Sequence, residues 1–190
     1  MARTINRTKI VIIGDAGSGK TTFLHRYMTG EFTHDYRPTL DSIMHQLPIY
    51  TNKGVVTLDV WDTPGQNVNS GLRTSWVNAD AFIVFFDITS NLSYKSAINW
   101  IYKLRTIVDV PIVLVANKID IRDQKVRRDV ISVPTNGTYY EISSKSNDNF
   151  DRPFLYIIRN KLGQDTHLID GPVMVSPEVP PVDSVHLYQL

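Results

Sequence analysis

The sequence predicts an α/β domain built on an open, mostly parallel sheet of six strands, one of them antiparallel, with helices on both faces. Three observations carry that expectation. Lys9-Ile10-Val11-Ile12-Ile13 is an apolar, β-branched run that passes through the glycine-rich stretch Gly14-Asp15-Ala16-Gly17-Ser18-Gly19-Lys20-Thr21 into residues of helical spacing. Residues 81–86 and 111–116 are apolar almost throughout, as strands covered on both faces are. Helical periods separate these runs, and strands alternating with helices make a parallel sheet.

The elements follow in order. Thr22 to Met28 has the spacing of a first helix. Gly30 to Thr39 is polar and broken by Pro38, so it reads as a loop. Residues 42–50 and 55–61 read as two strands joined by Thr51-Asn52-Lys53-Gly54, whose Asn and Gly suit a tight hairpin. Asp62-Thr63-Pro64-Gly65-Gln66 ends the second of them, because Pro and Gly interrupt a strand. After the strand at 81–86, Ala97, Ile98, Ile101, Leu104 and Val108 mark a helix over 91–108. Strands are expected at 111–116 and 138–142. A closing helix over 150–162 turns Phe154, Leu155, Ile157, Ile158 and Leu162 inward. Beyond Gly163, Pro172, Pro177, Pro180 and Pro181 punctuate a segment without clear period. The expected division is an N-terminal extension over 1–7, the domain over 8–162, and a tail over 163–190 that packs on the domain without building its sheet. Ligands of open sheets sit at the carboxyl ends of the strands. The loops after Ile13, Trp61, Ala116 and Ile142 all fall on that edge.

Composition narrows the function classes. A net charge of +1 on 190 residues gives no field that points to nucleic acid or an acidic membrane. The absence of cysteine excludes a disulfide framework, a thiolate metal site and a Cys nucleophile, and with them prenylation and palmitoylation. No apolar run approaches the ~20 residues of a membrane-spanning helix. Met1-Ala2-Arg3-Thr4 has neither the Gly that myristoylation needs nor a signal-peptide core. The expectation is a soluble intracellular protein with no lipid anchor and no direct nucleic-acid contact, monomeric outside complexes. The five histidines have no metal-ligand spacing.

The chemistry lies on the expected sheet edge. Residues 14–21 match G-x-x-x-x-G-K-[ST] between a strand and a helix, the context in which that pattern cradles phosphates. Glycines let backbone N–H groups turn inward, and the helix N-terminus adds a positive dipole end. Lys20 would reach the β- and γ-phosphates and the Thr21 hydroxyl would hold Mg²⁺. A glycine turn alone would explain the loop but not its flanks. Asn117-Lys118-Ile119-Asp120 follows a buried-type strand. A carboxylate there can accept paired hydrogen bonds from the ring N–H and exocyclic amine of guanine, and adenine lacks that amine. Ser143-Ser144-Lys145 would back the base with main-chain donors, and Phe32 would cover its face unless it is simply core. Asp62 supplies an acidic group for Mg²⁺ through water, Gly65 a backbone N–H for the γ-phosphate, and Gln66 a side chain to orient the attacking water. Thr39 is the second expected Mg²⁺ ligand.

With these motifs together, the chain resembles the Ras superfamily of small GTPases, and within it the Ran branch that serves nuclear transport. The likeness spans roughly residues 8 to 180 and includes Gly30-Glu31-Phe32, Thr51-Asn52-Lys53-Gly54, Val60-Trp61-Asp62-Thr63, Gly71-Leu72-Arg73, Asn99-Trp100, Lys145-Ser146-Asn147, Asn149-Phe150, Pro153-Phe154-Leu155 and Pro177-Glu178-Val179. It implies a P-loop NTPase fold and bound GTP or GDP with Mg²⁺. Gln66 would be the catalytic residue, with Thr21, Thr39 and Asp62 at the metal. The nucleotide would also be held by Asp15, Ala16, Gly17, Ser18, Gly19, Lys20, Thr22, Phe32, Tyr36, Gly65, Asn117, Lys118, Asp120, Ser143, Ser144 and Lys145. The loops Tyr36–Thr39 and Gln66–Arg73 would be the nucleotide-sensitive switches. Nuclear transport receptors, a GTPase-activating protein and an exchange factor are the implied partners, in nucleus and cytoplasm. Several residues depart from the branch. Ala16 stands where a Gly is usual, Pro64 replaces an Ala, and Asn67 replaces a Glu. Val133-Pro134-Thr135-Asn136 replaces a basic cluster, and an acidic C-terminal end is missing. Ala16 and Pro64 lead to an expectation of slow hydrolysis. The alternative is a GTP-binding protein, nearly inert as an enzyme, that occupies Ran partners and regulators as a decoy.

Overall fold

The computed structural model describes residues 6–34, 37–65 and 75–170. Six strands form one sheet: β1 (Asn6–Gly14), β2 (Ile43–Thr51), β3 (Gly54–Asp62), β4 (Ala81–Asp87), β5 (Ile112–Asn117) and β6 (Gly137–Glu141). Their order is β2-β3-β1-β4-β5-β6, with β2 antiparallel to β3 and every other pair parallel. Helices α1 (Lys20–Thr29), α2 (Asn91–Arg105) and α3 (Arg152–Leu162) make the connections and the closing layer. Six mostly parallel strands with one antiparallel member are what the sequence predicts.

Strand alternation builds two cores. Ile10 and Ile12 of β1, Ile83 and Phe85 of β4, and Val113 and Val115 of β5 face one way, against Phe23 and Leu24 of α1 and Phe154, Ile157 and Ile158 of α3. Val11, Ile13, Phe82, Val84, Ile112 and Leu114 face the other way, against Ala97, Ile101 and Leu104 of α2. Both faces of β1, β4 and β5 are therefore apolar, which is why these strands read as continuous hydrophobic runs. Each buried Phe, Leu or Ile contributes about 1.5–3 kcal/mol. Phe23 anchors the first layer, with ring centroids 4.8, 5.2 and 5.3 Å from Phe150, Phe85 and Phe154.

The elements depart from their expected bounds by local chemistry. The helix expected to reach Val108 stops at Arg105, where the Thr106 hydroxyl donates to the Lys103 carbonyl at 2.7 Å and Ile107 and Val108 close a turn on Leu104. The closing helix begins at Arg152, with Pro153 in its first turn, where its missing N–H costs nothing. Residues 163–170, part of the expected tail, lie along the far end of the hairpin. Leu168 bridges Thr51, the Ile169 amide donates to the Tyr50 carbonyl at 3.0 Å, and His167 and Asn52 exchange hydrogen bonds. The remaining tail residues, and the expected switch over Gln66–Arg73, lie outside the described residues.

The parallel strands β1, β3, β4, β5 and β6 run in one direction, so the loops after Gly14, Asp62, Asn117 and Glu141 open on one edge of the sheet. The phosphate-loop, Asp62 and Asn117–Asp120 motifs all sit there. No described helix is long and apolar enough to cross a membrane.

Candidate nucleotide-binding site

A cleft of about 630 Å³ opens on that edge, between the β1–α1 loop and the loops after β5 and β6. Its phosphate end begins where β1 stops at Gly14. The Ser18 hydroxyl donates to the Asp15 carbonyl at 2.8 Å and tightens the turn. Gly19 then enters α1 at φ +92°, and no side chain caps the helix. The first-turn amides are therefore left for a ligand, as anion-binding helix starts require. A side chain at position 19 is excluded twice, by that φ and by Asn117 Nδ2, which lies 2.3 Å from where a Cβ would stand.

Lys20 is buried, and its Nζ donates to the Gly14 and Asp15 carbonyls at 2.8 and 2.9 Å. Burial lowers its pKa to about 8, and Asp62 and Asp15 partly offset that. The ammonium thus sits inside the loop that would wrap a phosphate.

Next to it three oxygens converge. Thr21 Oγ1 donates to Asp62 Oδ2 at 2.5 Å and lies 2.7 Å from Thr39 Oγ1. Asp62 Oδ1 is buried and has no partner among the described residues. Burial raises the Asp62 pKa, with Thr21, Lys20, His45 and Thr39 pulling it back. Two hydroxyls and one carboxylate with an unused oxygen are hard ligands of the kind Mg²⁺ takes when phosphates and waters complete its shell. The residues present fit that ion. Among the described residues no cluster of His, Cys, Asp and Glu forms another metal site.

Gly65 closes this end. A Cβ there would meet the Ala16 nitrogen at 2.2 Å, so only glycine lets the two backbones lie this close. Gln66 and Tyr36 lie outside the described residues.

The other end is organised by Asn117. Its Nδ2 donates to the Ser18 carbonyl at 3.0 Å, while its Oδ1 accepts from the Lys118 amide at 2.8 Å and from the Ser144 amide and hydroxyl at 3.2 Å. This buried amide joins the phosphate loop to the loop after β6. Asp120 faces the cleft, with its Oδ1 held by the Ser143 hydroxyl at 2.7 Å. A fixed carboxylate at the rim is an acceptor pair suited to a base carrying two adjacent donors. Lys118 is held by Asp87 at 2.6 Å. Partial burial opposes ionisation of Asp87, yet hydrogen bonds from Lys118 and Thr89 bring its pKa below the usual carboxylate value.

Most residues singled out in the sequence meet at this cleft. Ala16, Gly17, Gly19, Lys20, Thr21, Thr22, Phe32, Thr39, Gly65, Asn117, Lys118, Asp120, Ser144 and Lys145 all line it. Phe32 is not core. It borders the opening, edge-on to His34 with ring centroids 4.9 Å apart. Ser18 and Ser143 are buried behind the lining, and Asp15 borders an adjoining depression with Asp87 and Lys118. The amides of residues 143–145, expected to face a base, are engaged by Asp148, Asn117 and the Ser143 hydroxyl respectively. Residues that the sequence reading passed over also take part. Asp87 holds Lys118, Thr63 donates to the Ile12 carbonyl at 2.7 Å, and His25, His34 and Arg37 border the cleft. Asp87 ends β4 on the functional edge, and that position is the signal that would have found it.

A model of the Ras family matches residues 9–162, from the start of the phosphate-loop strand to the end of the closing helix.

Proposed function

The chain belongs to the Ras family of small GTPases, and from that premise we propose that it is a GTP-binding switch of the Ran type with slow hydrolysis. The observation that carries the nucleotide part is the convergence of Thr21, Thr39 and the half-used Asp62 carboxylate beside Lys20, with Asp120 at the other end of the same cleft. Proteins of this family generally bind GTP or GDP with Mg²⁺ and respond to activating and exchange proteins. The transport role rests on the Ran-like stretches of the sequence and belongs with residence in nucleus and cytoplasm.

In hydrolysis a water oxygen forms a bond to the γ-phosphorus and the β–γ bridging P–O bond breaks. The electron pair of that bond stays on GDP, and the water's protons end on inorganic phosphate. Mg²⁺, held by Thr21 and Thr39 and through water by Asp62, would neutralise charge on the β- and γ-oxygens. Lys20 and the first-turn amides of α1 cradle the phosphates, the Gly65 N–H faces the γ-phosphate, and Gln66 orients the water. Asp120 selects guanine. Gly65 packs close on the Ala16 backbone, and in this reading the methyl group of Ala16, absent from the usual Gly, crowds the position that the water and a partner's catalytic group must share. Pro64 restricts the approach to the second switch.

The same crowding favours a second reading, in which the protein binds GTP tightly, turns over almost none of it and occupies Ran partners as a decoy. Single-turnover hydrolysis, alone and with a Ran-type activating protein, separates the two. A slow basal rate that the activator raises, though less than in Ran, supports the switch. A flat rate with tight GTP binding supports the decoy. In either case Ala16→Gly with Pro64→Ala is expected to raise the activated rate, and no rise would remove the steric argument.

A further inference from the structure

The cleft is bordered by a guanidinium that no motif claims, two residues from the Thr39 hydroxyl that meets Thr21. Arg37 is the arginine that lines the cleft among the described residues, on the same loop as Thr39. Arg7 and Arg128 are engaged by the carboxylates of Asp59 and Glu141, Arg26 by Asn147, and Arg105 and Arg159 by carbonyls. Arg37 is exposed and makes no such bond to the described residues, which leaves its fork of donors uncommitted among them.

The chain between Arg37 and Thr39 places it. Residues 37–40 form neither helix nor turn. Pro38 fixes its own φ and confines Arg37 to extended conformations. In an extended segment, side chains two positions apart project to the same side. Thr39 points to Thr21 Oγ1 at 2.7 Å, so Arg37 faces the cleft with it, and both line it. Engagement of Thr39 at the metal thus carries Arg37 to the terminal phosphate with little further loss of chain freedom. Lys20 is buried inside the phosphate loop and Lys118 is tied to Asp87, so neither can move to charge that develops on the outer oxygens. An arginine meets phosphate oxygens through two parallel N–H donors and remains charged at every working pH.

We propose that Arg37 is a catalytic residue supplied from within the chain: its guanidinium bonds the γ-phosphate oxygens as the bridging P–O bond breaks, a role otherwise filled by an arginine from a partner protein. The assignment rests on the GTPase reading above. It changes what that reading expects of regulation, because a chain that carries its own guanidinium leaves a partner less to add.

The test uses full-length protein loaded with GTP and Mg²⁺. Arg37→Ala is expected to slow single-turnover hydrolysis about 10²-fold, as loss of one preorganised donor does. Arg37→Lys is expected to fall nearly as far, because it keeps the charge and loses the fork. Release of a fluorescent GDP should change less than about threefold in both variants, which separates a transition-state role from a binding role. Wild-type protein, with no partner present, should also form a stable complex with GDP and tetrafluoroaluminate, a mimic of the transferring phosphoryl group, and Arg37→Ala should not. Equal hydrolysis rates in wild type and Arg37→Ala, or a rate loss matched by loss of GDP affinity, would overturn the assignment and leave the GTPase reading standing. Failure of wild-type protein to bind GTP would overturn both.

Discussion

Asp120 carries the base selectivity proposed for this site with a single carboxylate. The Ser143 hydroxyl fixes one of its oxygens, so the group meets a ligand already oriented. Asp120→Asn replaces an acceptor by a donor opposite the exocyclic amine of guanine. Affinity for GTP is expected to fall at least about 10²-fold, and preference to pass to a nucleotide with a carbonyl at that ring position, xanthosine triphosphate. Competition of the two nucleotides against fluorescent GDP checks it, and unchanged preference would mean that the base is read elsewhere. At this scale the sequence was informative where a residue acts through its own short motif, as Lys20, Thr21 and Asp120 do. It was silent on Asn117 as a brace, because the Ser18 carbonyl that the amide holds is 99 positions away. It was silent on Arg37 for a different reason. Arginine is an ordinary residue of polar loops, and only the cleft distinguishes this one.

Elements were easier to read than residues. Along β1, β4 and β5 both alternating sets of side chains are apolar, so the sequence marked these strands as central before any fold was drawn. β2 is the antiparallel edge strand, and its outer half exposes Ile43 and Met44. Helix ends were less legible, since hydroxyl back-bonding at Thr106 ended α2 inside a continuing apolar period. The join between β3 and the second switch was invisible for a steric reason. Gly65 reads as a turn residue, yet what demands glycine there is the Ala16 backbone. Gly65→Ala forces those backbones apart and moves the amide assigned to the γ-phosphate. Hydrolysis is expected to drop about 10²-fold while GDP affinity stays within about threefold, because GDP lacks the phosphate that this amide serves. Single-turnover rates and GDP release measured on one preparation decide it. Equal losses in both would show that the loop supports the whole site instead.

Across the whole molecule, stability and the site share partners. Asp87 is held below its ordinary pKa of 3.8 by bonds from Lys118 and Thr89, after burial has worked against it. A depressed carboxylate stabilises the fold above its unfolded value and loses that contribution as pH falls through the folded one. Urea unfolding of wild type and Asp87→Asn should therefore differ most near neutrality, begin to close as pH falls past 3.8, and converge only below the depressed folded-state pKa, where the native Asp87 is also neutral. A gap that persists in acid would mean that Asp87 acts through shape and not charge. The two-core sandwich followed from the alternation of elements, whereas the clasp of residues 163–170 on the hairpin did not. Backbone bonds from a short irregular segment leave no periodic mark on a sequence. The brace at Asn117 has a consequence in time. One buried amide ties the loop that wraps phosphate to the loop beside the base, so a base that fits poorly at Asp120 strains the grip on phosphate as well. A wrong nucleotide is then captured about as fast as a right one and lost sooner, so that selectivity is expressed as dwell time.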